Sequence, residues 1–225
     1  MFIDMKIRFL CLALLVHSCQ TCFAINSNEA GFWQWFERNE ERLFKFEESP
    51  NVDLLFDELA GQMTKVHPDL TFEFGPVIGG KREFVISAAG SVTAFPAVEK
   101  LFSIAPRLSR WNWVKFRPRR PAMDISFGER TINSSDVRVI IIDESEPNHL
   151  GLMMVMKGYS LKEDELYGQA SYLMLDQALG EYDVEMKVGG IELTGTLPTS
   201  LVVSYSLDDL PAAFDTMLER KLRDQ

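Results

Sequence analysis

Leu70-Thr71-Phe72-Glu73-Phe74-Gly75-Pro76-Val77-Ile78-Gly79-Gly80-Lys81-Arg82-Glu83-Phe84-Val85-Ile86-Ser87 is the stretch that separates a helical protein from a mixed one. Residues 70–74 alternate apolar with polar, Gly75-Pro76 and Gly79-Gly80 punctuate, and residues 83–87 resume an extended pattern, which together predict a β-hairpin. Upstream the period is different. Phe32, Trp35, Phe36, Leu43 and Phe46 recur at helical spacing with Glu37, Arg38, Glu40, Glu41 and Arg42 between them, predicting a helix over 30–47. Pro50 closes that segment and Asn51 stands where a cap is needed. Val52, Leu55, Phe56, Leu59, Met63 and Val66 then mark a second helix stopping before Pro68. So short a link favours an antiparallel helical hairpin.

Downstream, Pro96, Val98, Leu101, Phe102 and Ile104 predict a short helix ended by Pro106, and residues 111–116 a strand. Residues 137–142 and 150–156 read as apolar strands around the polar turn 143–149. Residues 162–179 read as a helix carrying Leu166, Ala170, Leu173, Met174 and Gln177. Residues 182–188 and 191–196 read as strands flanking Gly189-Gly190, a pair suited to a two-residue turn. A last helix over 208–222 buries Phe214, Met217, Leu218 and Leu222 behind a cap at Leu207-Asp208-Asp209. The expected fold is α+β, a mainly antiparallel sheet with four or five covering helices. The order ββαβ occurs twice, over 70–117 and 137–188, with little residue identity between them. A chance match is the simpler account, and a duplicated half or one shared sheet the other. Residues 117–135, with Pro118, Pro121 and Gly128, form the best candidate boundary, but no flexible linker interrupts the chain, so residues 25–225 are read as one domain.

The N-terminus reads as an export address. Lys6 and Arg8 precede an apolar run over 9–16, and Cys22-Phe23-Ala24 places small residues at −3 and −1 of a cut after Ala24. The run is too short to span a bilayer, so no transmembrane segment is expected after cleavage. The alternative is a lipoprotein anchored at Cys19, after Val16-His17-Ser18, a loose lipobox. Translation from Met5 would fit the same pattern. Residues 1–24 hold Lys6, Arg8 and Asp4, a net +1, so their removal takes the net charge from −10 to −11. Cys11, Cys19 and Cys22 leave with them. A mature chain without thiols builds no disulfide, zinc-thiolate site or cysteine nucleophile, and no cofactor is expected. Its acidity favours solubility and opposes non-specific binding to nucleic acid or anionic membrane.

Phe32-Trp33-Gln34-Trp35-Phe36, Arg82-Glu83-Phe84-Val85-Ile86-Ser87-Ala88, the stretch from Ala105-Pro106 to Trp113, and Phe116-Arg117-Pro118-Arg119 together resemble a group of uncharacterised bacterial proteins. The likeness is best over 32–120. It implies a bacterial origin and an α+β fold, and no catalytic residues.

The most distinctive local feature is Trp111-Asn112-Trp113-Val114-Lys115-Phe116-Arg117-Pro118-Arg119-Arg120. On a strand, Trp111, Trp113, Lys115 and Arg117 share one face. With Arg119 and Arg120 following, they make a candidate site for an anionic or planar ligand through charge-assisted hydrogen bonds and stacking. The structural alternative pairs these cations with the chain's own carboxylates and sinks the indoles into the core beneath the first helix. A second candidate is Asp143-Glu144-Ser145-Glu146-Pro147-Asn148-His149. Asp143, Glu144, Glu146 and His149 are ligand types for a cation, at a spacing that matches neither an EF-hand loop nor a His-Glu-x-x-His helix, and a polar hairpin loop explains every residue without a metal. His67 before Pro68-Asp69 suits a helix C-terminus. Ser87-Ala88-Ala89-Gly90-Ser91 lacks the spacing of a nucleophile elbow, and the glycines form no phosphate loop.

The expected function is therefore a non-enzymatic binding or interaction module of the cell envelope, periplasmic or secreted. Its expected partner is a basic protein or a small anionic ligand. The rival is a hydrolase using carboxylates or a loop-bound metal.

Overall fold

The computed structural model describes residues 27–199 and 202–224. The expected export address, with Ala24, Cys11, Cys19 and Cys22, lies outside those residues.

Helix α1 (Asn28–Arg38) starts at Ser27, whose side chain accepts the N–H of Ala30 at 3.2 Å. The helix expected to run on to residue 47 breaks at Asn39, and α2 (Glu40–Phe44) and a 3₁₀ turn at Phe46–Glu48 follow. The side-chain amide of Asn39 donates to the Trp35 carbonyl at 2.9 Å, the kind of local competition that makes Asn a poor interior residue. The buried stripe also differs from the expected one: Trp33 enters the core and Trp35 only packs against it. Helix α3 (Val52–Val66) has the expected bounds and buries Leu55, Leu59 and Met63. Asn28 donates to the Lys65 carbonyl and Arg42 pairs with Glu58, so α1 and α2 run antiparallel to α3.

The hairpin is present as β1 (Thr71–Ile78) and β2 (Lys81–Ser87), antiparallel, with a bulge at Gly75-Pro76. Gly79 (φ +59°) and Gly80 (φ +78°) make its two-residue turn, a conformation open to glycine at little cost. Helix α4 (Phe95–Ser103) carries Pro96 in its first turn and delivers β3 (Trp111–Lys115) alongside β2, in parallel. The expected boundary contains a small hairpin, β4 (Ile125–Phe127) and β5 (Arg130–Ile132), turned at Gly128.

Strands β6 (Val137–Asp143) and β7 (Leu150–Met156) pair antiparallel, as expected. Helix α5 (Asp164–Leu179) buries Tyr167, Ala170, Met174 and Leu175, while Leu173 stays exposed. Residues 181–187 are not a strand but helix α6 (Glu181–Lys187), entered through Gly180 at φ +81°. The apolar–polar alternation of Tyr182 to Met186 is overridden by tertiary contact, since Glu181 and Val184 are the residues buried. Gly189-Gly190 is likewise no turn. Both glycines lie inside β8 (Val188–Thr194), parallel to β7, where the pair opposes the single residue Gly151 in a bulge. The carboxylate of Glu144 lies over Gly151 and Gly189, in space a Cβ would occupy. Helix α7 (Leu210–Arg223) closes the described chain, burying Leu210, Phe214 and Leu218 and leaving Leu222 exposed.

The fold is α+β. Three of the five strand pairings are antiparallel. The described residues hold seven helices, more than expected because of α2 and α6. The β1-β2-β3 and β6-β7-β8 sheets share strand order and sense, a hairpin followed by a third strand parallel to its second. The likeness is one of connectivity: the second crossover uses two helices, and its third strand lies at 188–194.

The core falls into two clusters. One joins α1, α3 and α4 to Phe84, Ile86 and Trp111; the other joins α5 and α7 to β6 and β7. Val85, fully buried, belongs to neither, because strand alternation turns it to the opposite face of the first sheet, toward the second half. Among the described residues no helix is long and apolar enough to cross a membrane.

Candidate ligand site at the junction of the two halves

Strand β3 carries the aromatic part of the candidate set into the core. Trp111 and Trp113 lie nearly parallel, 5.5 Å apart at 7°. Trp33 lies 4.7 Å from Trp113, and Phe36 lies 4.9 Å from Trp111. Each indole N–H is satisfied, Trp111 by Glu40 Oε1 at 3.1 Å and Trp113 by the Pro106 carbonyl at 2.7 Å. On the same face Lys115 reaches both carboxylate oxygens of Glu99 at 2.7 and 2.8 Å.

The alternation then fails. Phe116 sits at φ +60°, a left-handed conformation that a bulky side chain rarely adopts, and it breaks the strand. Its ring enters an aromatic group, 4.5 Å from Phe95 and 5.3 Å from Tyr182. Arg117 consequently leaves the indole face, against the shared face expected, and crosses to the other side of the sheet. There its Nε donates to Glu73 at 2.5 Å and its Nη1 to Asp176 of α5 at 3.4 Å. Arg119 binds the Leu179 carbonyl, Asp183 and Asp215. Arg120 pairs with Glu83, and its N–H donates to the Gln177 carbonyl at 2.7 Å. The six residues thus separate into two indoles within the first core, one lysine at its rim, and three arginines that tie the halves together.

Glu181 is the residue at this junction that the sequence did not disclose. It is 0% exposed. Its Oε1 accepts the N–H groups of Ala88 (2.8 Å) and Gly90 (3.2 Å), and its Oε2 accepts that of Arg117 (3.0 Å). A carboxylate bound by three backbone donors is fully compensated for burial. Gly180 supplies the close approach, since a Cβ there would stand 3.2 Å from the Arg117 carbonyl. Around this anchor Asp176 is raised to about 6, chiefly by burial, with the charges of Glu181 and Glu185 adding and Arg117 opposing. Glu185 is raised by burial and by Glu181. Asp215 is lowered by its hydrogen bond to Arg119.

Between the segment Lys115 to Arg119 and the segment Leu179 to Asp183 lies a groove of about 410 Å³. Its apolar lining comes from Phe116, Pro118, Leu179 and Tyr182, and its charges from Lys115, Arg117, Arg119, Glu99 and Asp183. The Tyr182 ring is stacked on Phe95 at 5.7 Å and 24°, yet the residue remains 44% exposed.

The metal candidates do not converge. Asp143 accepts from Lys221 Nζ at 2.6 Å, the same ammonium meets the Glu144 carbonyl, and the Glu144 carboxylate lies against glycines. Among the described residues no three His, Cys, Asp or Glu side chains gather as a metal site. His67, Asp69 and Ser91 do come together, in an order unlike a nucleophilic relay. Ser91 donates to Asp69 at 2.8 Å, and His67 Nδ1 accepts the N–H of Asp69 at 3.2 Å, so the imidazole is not placed to take the serine proton. A second buried charge, this one a cation, escaped the sequence reading. Arg82, 2% exposed, donates to the Phe44 and Gly75 carbonyls and to Glu47 while stacking over Phe46 at 4.5 Å.

No protein-family model matches the chain, and no curated protein or solved structure matches it either.

Proposed function

We propose that the chain is an exported bacterial binding protein that holds a small ligand in the groove between its two halves. The groove carries the reading. It has the volume of a small-molecule site, a lining that sets apolar surface beside charged groups, and a position where two packed units meet. Lys115, Arg117 and Arg119, half of the cation–indole set singled out from sequence, line it. The export part draws on Lys6, Arg8, the apolar run and Ala24, and the bacterial part on the resemblance over 32–120.

Amide chemical-shift mapping with a small-molecule fragment library tests the groove. Ligands that bind are expected to move residues 115–119 and 179–183 together. Reproducible binding elsewhere, with those residues silent, would sink the reading. Intact mass of the protein from its native host tests export: a chain beginning at Ile25 is the expected result. Retention of residues 1–24 removes the export assignment, and a lipid on Cys19 replaces it with an anchored form.

A further inference from the structure

We propose that the groove is selective for planar aromatic anions, with Lys115 as the group that meets the ligand's acid and Tyr182 as the surface that meets its ring; this rests on the binding reading above. The chain has 33 acidic and 23 basic residues, yet this groove is lined by three cations and two carboxylates. Arg117 and Arg119 are each matched by two carboxylates and Lys115 by Glu99 alone, so an entering anion meets the weakest opposing charge at the lysine.

The three cations are not held equally firmly. Arg119 is held by Asp183 and Asp215 and by the Leu179 carbonyl, and Arg117 by Glu73 and Asp176, so both are fixed parts of the junction. Among the described residues Lys115 pairs with one carboxylate, Glu99, and both side chains of that pair are nearly half exposed. An exposed pair of this kind contributes little to stability, so its partner can be exchanged. A ligand carboxylate can therefore take the place of Glu99 at Lys115 without dismantling the fold. An aromatic ring is also in place in the groove. Phe95 and Phe116 hold Tyr182 from within, leaving much of a pre-oriented aromatic open beside the lysine. A rigid exposed aromatic stacks on a planar partner with little further ordering.

Four probes test this by titration followed through the amide shifts of residues 115–119 and 179–183: benzoate, benzamide, benzamidine and cyclohexanecarboxylate. Benzoate is expected to bind about tenfold more tightly than benzamide or benzamidine, a difference equivalent to one charge-assisted contact, and more tightly than cyclohexanecarboxylate, which has the charge but no ring to stack. Lys115→Gln is expected to bring benzoate down to the level of benzamide and leave benzamide unchanged. Tyr182→Leu is expected to reduce the advantage of benzoate over cyclohexanecarboxylate. Circular dichroism of both variants confirms that they fold. Equal or tighter binding of benzamidine or benzamide in the groove overturns the anion selectivity and leaves the binding reading standing. Failure of all four probes, with a fragment library also silent there, overturns both.

Discussion

The two halves of this molecule solve the same packing problem with different side chains. The first half holds all four tryptophans, and its core is a continuous aromatic contact running through Trp33, Phe36, Phe84, Trp111 and Trp113. The second holds all five tyrosines and fills its core with aliphatic residues and methionines, among them Met154, Met156, Met174 and Leu175, with Phe214 from α7. Rings meet at set angles and tolerate little substitution, whereas methionine adapts to irregular space. Sheet connectivity is common to both. Connectivity therefore leaves the choice of core chemistry open. The halves differ in purpose as well: the first supplies Lys115 and Phe116 to the groove, the second supplies Gly180 and Tyr182.

The contrast breaks if the cores respond alike. Phe36→Ala is expected to destabilise by about 4 kcal/mol and Met174→Ala by about 3 kcal/mol, both by urea denaturation. Equal losses would mean that the aromatic core is no more specific than its neighbour. The next largest effect concerns the junction. Glu181→Ala orphans three backbone N–H groups and is expected to cost about 3 kcal/mol. Because the tryptophans lie only in the first half, their fluorescence should then part from far-UV circular dichroism, which reports both halves. Coincident transitions in the variant would show that Glu181 does not couple them.

A pH effect of roughly 1–3 kcal/mol follows from Asp176, whose folded pKa of about 6 lies above its ordinary value of 3.8. The folded state keeps that proton longer than the unfolded state. Its contribution is complete below pH ~4 and is lost as pH rises through about 6. Asp176→Asn should flatten the fall in stability between those limits, measured by denaturation across the range. An unchanged slope would remove Asp176 as its source. The smallest effect compares two glycine pairs. Gly79→Ala, at φ +59°, is expected to cost about 1–2 kcal/mol. Gly190→Ala, in extended backbone within β8, is expected to cost under about 1 kcal/mol by the same assay. Reversed costs would place the strained turn in the wrong half.

Local pattern carried the sequence reading wherever a segment's own periodicity decides its state. The hairpin at 71–87, α3 and the pair β6–β7 all lie where they are expected. It failed at Asn39, where a side chain competes with the helix, and at residues 181–190, where alternation and a glycine pair imitate a hairpin. The candidate site was half legible. A run of cations beside aromatics is visible in one stretch of chain, but its opposite wall, from Leu179 to Asp183, is distant in sequence and has no motif of its own.

Residue spacing and composition by themselves determined the α+β class, most element positions, the acidity and the cation-rich end of β3. Tertiary structure decided that Phe116 would turn Arg117 away from the indoles, that Glu181 would be buried against three backbone donors, and that residues 181–187 would be helical. The physical reason is range. Periodicity records which face of a segment is apolar, whereas a buried carboxylate and a left-handed phenylalanine are favourable only once a second segment has arrived to compensate them.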